Sequence, residues 1–461
     1  MTFGGVERYV QNLERVIDDA EASRMITYER ISRAIRELPG LASKLKDVLG
    51  AEDLLTSSKV SLEASVSKSD TALIQYTSGT TSKPKGVVIS HQALCANTHA
   101  IYQSLHMSQD DVGVSWLPMF HDMGLIGVLY TSLCHGFAVH IMTPESFVMQ
   151  PRSWLELITK VKGTVSAGPN FAYQLCAKRG PADCAIDLSS WRAALNGAEQ
   201  VQAPTLDQFA QAFSDHGYNP SAMTPVYGMA ESTLAICFSA PEHAAQALRI
   251  DRQTLEASGK LSISTAADAM NIVSVGKPVT GCSLRVAEPD SDRILGEGQV
   301  GEVQTRSSSL MDGYFHNEKA SEEALKSGWL HTGDLGFVAG QQLFITGRAK
   351  DMIIKGGKNI HPYDIEQVTA SIPGVRGSVA AFAASNELSG TDDLVVVAET
   401  MQQDPHKRDA IVKSIRGELL ASLGIKADQI HLWRVGRIPR TTSGKIQRSR
   451  CSALLQEQDK L

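Results

Sequence analysis

Ten consecutive residues, Thr77-Ser78-Gly79-Thr80-Thr81-Ser82-Lys83-Pro84-Lys85-Gly86, contain five hydroxyls, two glycines and two lysines. Hydroxyls and backbone amides donate to phosphate oxygens, glycine lets the backbone come close to an anion, and lysine supplies countercharge. The chemistry such a loop suits is the cradling of a polyphosphate. A solvated Ser/Thr loop is the alternative that the segment alone leaves open. It is not a P-loop, because no glycine stands five residues before a Gly-Lys-Ser/Thr, and it lacks the three-glycine dinucleotide turn. Elsewhere His121 sits among apolar residues in PMFHDMG, where an imidazole can orient an anion or simply pack. His91, His106, His135 and His361 have no paired metal spacing and take no role.

The elements around these residues follow from pattern. Residues 6–24 keep a helical period through Val6, Tyr9, Val10, Leu13, Val16 and Ile17. Thr71 to Gly79 reads as a buried strand running into the Ser/Thr loop, and strands and helices alternate to about residue 235, which predicts a doubly wound, mostly parallel sheet. Shorter strands around SVGKPV, CSLRVAE and GEVQTR predict a β-rich subdomain at about 272–345. A boundary falls near Gly347–Asp351. The expected organisation is α/β, with a large domain over 1–347 and a small, mobile α+β domain over 348–461. The latter contains a helix striped by Ile411, Val412, Ile415, Leu419, Leu420 and Leu423.

Composition narrows the class. In 461 residues, 44 Lys+Arg against 50 Asp+Glu give a net charge of −6, which provides no general field for nucleic acid. Seven cysteines, scattered and never spaced CxxC, fit a reducing compartment better than a disulfide framework. The most apolar run, Gly124 to Cys134, is shorter than the ~20 residues a membrane helix needs, so the expectation is a cytoplasmic protein with no integral membrane contact.

YTSGTTSKPKG resembles the signature loop of the adenylate-forming, AMP-binding superfamily, and five further motifs occur in the expected order. These are NGAE (196–199), VYGMAEST (226–233), HTGDLG (331–336), GRAKDMIIKGGKNIHPYDIE (347–366) and PRTTSGKIQR (439–448). WLPMFHDMGLIG (116–127) and the long segment between Thr233 and Val275 are most similar to fatty acyl-AMP ligases, whose insertion there restrains the small domain and disfavours coenzyme A.

The resemblance implies the following roles. Lys445 is the catalytic lysine bridging substrate carboxylate and α-phosphate, with His121 near the same groups. Glu231 helps bind Mg²⁺. Thr77, Ser78, Gly79, Thr80, Thr81 and Lys85 hold phosphates. Tyr227 with the backbone of Gly197, Ala198 and Glu199 borders the adenine, Asn196, Gly228 and Met229 also bind the nucleotide, Asp334 holds the ribose, Arg348 is a second ribose or phosphate contact, and Lys350 is the hinge. The implied reaction is attack of a fatty or related carboxylate on the α-phosphorus of ATP, followed by acyl transfer to the phosphopantetheine thiol of an acyl carrier protein or a synthase carrier domain. Acyl-CoA synthesis is the nearest alternative. A non-catalytic lipid- or nucleotide-binding protein is the alternative of another class, because family members carry roughly 100 further residues before the region matched here. Loss of that part predicts exposed apolar surface.

Overall fold

The computed structural model describes residues 3–55, 65–77, 84–181, 185–241, 243–266, 269–289, 291–355, 358–386, 391–441 and 445–458. The first helix is Phe3–Asp19, beginning three residues earlier and ending five residues earlier than its periodicity suggests. A turn with Glu21 at φ 49° ends it, and Arg24–Thr27 enters strand β1, parallel to β2 (Asp47–Gly50). This end carries solvent-facing apolar side chains, with Tyr28 70% and Leu55 86% exposed.

Strand β3 (Thr71–Thr77) forms a hairpin with β4 (Lys85–Ser90), and β4 also pairs with Gly313–Tyr314. Because β3 lies at the edge of this antiparallel sheet, only its Gln75 is buried, and the expectation of a fully buried strand is corrected.

The main sheet has seven strands. Strands β5 (Val112–Ser115), β6 (Ala138–Ile141), β7 (Val165–Pro169), β8 (Ala193–Gly197) and β9 (Met223–Gly228) are parallel, in the order β9-β8-β7-β5-β6. Strand β10 (Ala235–Phe238) and then Lys277–Pro278 extend it antiparallel. Every residue of β7 and β8 is buried, as strands covered on both faces require. Trp154, Trp191, Tyr173, Phe147 and Phe209, all fully buried, interlock in edge-to-face pairs beneath it. The apolar run from Gly124 to Cys134 lies in a π-helix, Met123–Tyr130, continued by an α-turn, Thr131–His135. Ligands of such sheets collect at the carboxyl ends of the strands, which here are Gly197 and Gly228.

Lys277–Pro278 belongs to the main sheet, so the β-rich part proper is a five-stranded sheet. It is built from Ser283–Ala287, Gly301–Arg306, Leu325–Lys326, Trp329–Ala339 and Gln342–Arg348. After Arg348 a short turn leads to three strands, Val379–Asn386, Thr391–Thr400 and Gln429–Arg434, with a separate apolar core. Helix Pro405–Leu423 starts on the Asp404 side-chain cap and stops at Gly424, φ 63°. Ile411, Ile415 and Leu419 of its expected stripe are buried, but Leu420 is 59% exposed. Among the described residues no helix is long and apolar enough to cross a membrane.

Candidate active site

A cleft of about 1250 Å³ runs between the sheets and the C-terminal segment, and residues from every motif named above line it. The hairpin register puts Thr77 opposite Lys85, and both line the cleft. Ser78, Gly79, Thr80 and Thr81 lie outside the described residues. The Lys85 ammonium stands 4.4 Å from the centre of the Tyr314 ring, and the Tyr314 hydroxyl donates to Glu231 Oε1 at 2.8 Å. Burial and then Glu231 push the Tyr314 phenol far up, so it remains a donor. Among the described residues none donates to the other Glu231 oxygen.

Tyr227, Asp334 and Arg348 form one hydrogen-bonded set. Asp334 and Arg348 face each other across the ladder of Trp329–Ala339 and Gln342–Arg348. Arg348 Nε donates to Asp334 Oδ1 at 2.7 Å, and the Tyr227 hydroxyl donates to Oδ2 at 2.8 Å. The carboxylate raises the Arg348 pKa further, so the guanidinium stays charged. Each Asp334 oxygen accepts one such bond and keeps capacity for a ligand hydroxyl.

The 196–199 turn divides its labour. Asn196 is fully buried, and its amide reaches Asn170 Oδ1 at 3.5 Å, behind the wall and off the cleft surface. Gly197 also lies outside the lining, since a Cβ there would meet Val226 Cγ2 at 2.6 Å. Ala198, at φ 64°, turns the chain so that it and Glu199 face the cleft. Glu199 accepts from the Phe171 amide at 2.6 Å, at the start of helix Asn170–Arg179. Burial pushes its carboxyl up, against the Phe171 bond and the charges of Arg440 and Lys445. Gly228 and Met229 complete this wall beside Tyr227.

Across the cleft, Lys445 follows a short ladder in which Thr441 N donates to Lys445 O at 2.7 Å and Lys445 N donates to Thr441 Oγ1 at 3.0 Å. It lines the same cleft as His121 and Asp122, and its charge is felt at Asp122. The His121 ring contacts Asp122 Oδ1 through Nδ1 at 2.6 Å, and Met123 N donates to the same oxygen at 2.7 Å. Burial alone would raise the Asp122 carboxyl; His121, and then Lys445, outweigh it and hold the group below its ordinary value. Lys350 lines the cleft from the turn Ala349–Asp351, its ammonium pushed down by burial and then by Arg348. Asp122, Tyr314 and Arg440 are functional candidates that sequence reasoning passed over. Asp122, adjacent to His121, and Arg440, inside the 439–448 motif, carried a local signal; Tyr314 carried none.

The comparisons agree with this geometry. Residues 9–315 match the AMP-binding enzyme family. The chain belongs to that family. This AMP-binding enzyme is 35% identical over 443 residues to the medium-chain-fatty-acid–[acyl-carrier-protein] ligase TtuA of Teredinibacter turnerae, covering 91% of this chain and 69% of the relative. It superposes with a TM-score of 0.90 and 32% identity on a fatty acyl-adenylate ligase from a study of the E. coli and L. pneumophila proteins, over 97% of this chain and 82% of that one. The L. pneumophila fatty acyl-adenylate ligase in complex with acyl adenylate and pyrophosphate matches with a TM-score of 0.70 and 32% identity, over 97% and 80% of the two chains.

The fit of Mg²⁺ rests on the donor set. Among the described residues no three His, Cys, Asp or Glu side chains gather to hold a metal. Glu231, with one oxygen committed to Tyr314, offers the single carboxylate that suits a magnesium ion shared with phosphates and water.

Proposed function

We propose that this AMP-binding enzyme activates a fatty or related carboxylic acid with ATP to the acyl-adenylate and then passes the acyl group to the phosphopantetheine thiol of a carrier protein. The observation that carries the reading is the position of Lys445. It lines one cleft together with His121, Asp122 and the Tyr227–Asp334–Arg348 set, and its charge is felt at Asp122.

In the first step a carboxylate oxygen bonds to the α-phosphorus as the bond to the bridging oxygen breaks and pyrophosphate leaves. The obstacle is the approach of two anions, and fixed positive charge lowers it. Lys445 bridges the carboxylate and the α-phosphate, His121 orients the same groups, and Lys85 with the 77–81 loop holds the leaving phosphates. Asp334 and Arg348 take the ribose; Tyr227, Gly228 and Met229 flank the base. Asn196 and Gly197 shape that wall from behind. Glu231 would hold Mg²⁺, which when bound would supply charge neutralisation on the phosphates. In the second step the thiol sulfur attacks the acyl carbon and AMP leaves. We read 1–347 and 348–461 as two domains hinged at Lys350, whose rotation withdraws Lys445 before that step, and we place the protein in the cytoplasm.

The acceptor is read as a carrier protein because the segment between Thr233 and Val275 engages the small domain. Arg252 pairs with Asp364 at a contact where both side chains are largely buried, 17% and 5% exposed. Such a tie disfavours free rotation toward a soluble thiol. Fatty-acid-dependent exchange of pyrophosphate into ATP tests the first half. Separate incubations with carrier protein and coenzyme A test the second, and ready formation of acyl-CoA with unloaded carrier protein rejects the acceptor assignment.

A further inference from the structure

Lys445 is largely exposed and has a long flexible side chain, so its usefulness depends on how firmly its backbone is held. Its hairpin is closed by the Arg440–Ile446 bridge and by Gln447 N donating to Pro439 O at 2.9 Å. The next residue, Arg448, begins helix Arg448–Gln458, whose Cys451 and Leu455 pack against Phe382, Val395 and Trp433. The Arg448 guanidinium turns the other way. Its Nε and Nη2 donate to Glu366 Oε1 and Oε2 at 2.8 and 2.9 Å, and its Nη1 donates to Asp351 Oδ2 at 3.0 Å. Glu366 lies on helix Pro362–Ala370, and its Oε1 also accepts from Ala381 N at 3.0 Å. Asp351 is the residue after Lys350.

We infer that Arg448 is a positioning residue for adenylation: its guanidinium joins the Lys445 hairpin, helix Pro362–Ala370 and the turn at Lys350 into one unit, so that the lysine travels rigidly with the hinge. This inference rests on the proposed role of Lys445. A planar fork binding one carboxylate through two parallel bonds and a second carboxylate through a third fixes an orientation that a single point charge cannot. The three side chains are only 24%, 10% and 20% exposed, so the pairs are poorly screened by solvent. All three side chains border the cleft, but their charged atoms are turned to one another. The clamp acts through where it holds Lys445, and displacement of a catalytic group by about 1 Å lowers rates by about 100-fold.

The test separates the two half-reactions. Arg448→Ala and Arg448→Lys are compared with wild type in pyrophosphate exchange and, independently, in transfer from ready-made acyl-adenylate to carrier protein, a step that does not use Lys445. The expected result is a fall in exchange kcat of about 10- to 100-fold for Arg448→Ala, with the KM for ATP within about twofold and transfer from the adenylate preserved. Arg448→Lys should fall between, because it restores the charge without the fork. Asp351→Asn, which leaves the Glu366 fork intact, guards against misfolding and should lower exchange several-fold. Unchanged exchange in Arg448→Ala, or parallel loss of both half-reactions, overturns the inference while leaving the function intact. Wild-type protein that transfers from adenylate but never exchanges pyrophosphate overturns the adenylation reading, and this inference with it.

Discussion

The Tyr314 hydroxyl donates to the Glu231 carboxylate at 2.8 Å while the face of the same ring receives the Lys85 ammonium at 4.4 Å. One side chain therefore spaces a cation from an anion at the mouth of the phosphate hairpin. Tyr314→Phe keeps the ring and removes the donor, a loss of about 1 kcal/mol. The expected outcome is a Mg²⁺ requirement for pyrophosphate exchange shifted to several-fold higher concentration, with Glu231→Gln shifted further. A Mg²⁺ titration of the exchange rate checks both, and coincidence of the Tyr314→Phe curve with wild type would remove the tyrosine from the site.

Asp334 is the shared acceptor of Tyr227 and Arg348, so Asp334→Asn weakens two hydrogen bonds and deprives a half-buried guanidinium of its partner. Bonds to charged groups contribute about 1.5–3 kcal/mol. Calorimetric titration with ATP should show affinity lower by about 10- to 100-fold. An unaltered Kd argues that the ribose lies elsewhere.

Lys445→Ala should abolish acyl-adenylate formation and leave ATP binding largely intact, because the nucleotide walls belong to other elements. Nucleotide affinity and product formation are read on the same sample. Equal loss of both is incompatible with the bridging role given to the lysine.

Glu199 gives a pH-dependent stability signature. Its carboxyl is raised in the folded state, mainly by burial, so folding favours the protonated form. Stability from this group is fully present below the unfolded pKa and declines as pH rises through the folded pKa. Glu199→Gln removes the ionisation. The variant's melting temperature should exceed that of wild type near neutral pH, and the difference should shrink as pH falls into the ordinary glutamate range. A difference that grows on acidification contradicts the assignment. Asp122, held below its ordinary value, has the opposite sign: its contribution is present above the unfolded pKa and is lost as pH falls through the folded one.

Much of this site was legible because its residues sit in short motifs whose composition already suggests their chemistry. Lys445, Asp334 and Glu199 needed only the fold to bring them to one cleft. What escaped was long-range pairing. Nothing near Tyr314 in the chain indicates that its hydroxyl reaches Glu231, and Arg448 reads as an ordinary basic residue until Glu366 and Asp351 arrive from about 80 and 100 positions earlier. Asn196 failed differently. It stands within the expected turn, but the alternation of the strand sends its side chain behind the sheet. The apolar run beginning at Gly124 read only as too short to span a membrane, because π winding has no periodic signature distinct from that of a helix.

Gly228 sits where a methyl group would lie 1.8 Å from the Leu234 carbonyl oxygen. That fit presses the corner after β9 against the first residues of β10, with backbone on backbone and no intervening side chain to rearrange. The surface proposed for the purine is accordingly set when the polypeptide folds, not when the base arrives. Recognition at this end of the cleft should resemble a coin meeting a slot, whereas adaptation is left to the opposite bank, where the proposed hinge would move the lysine.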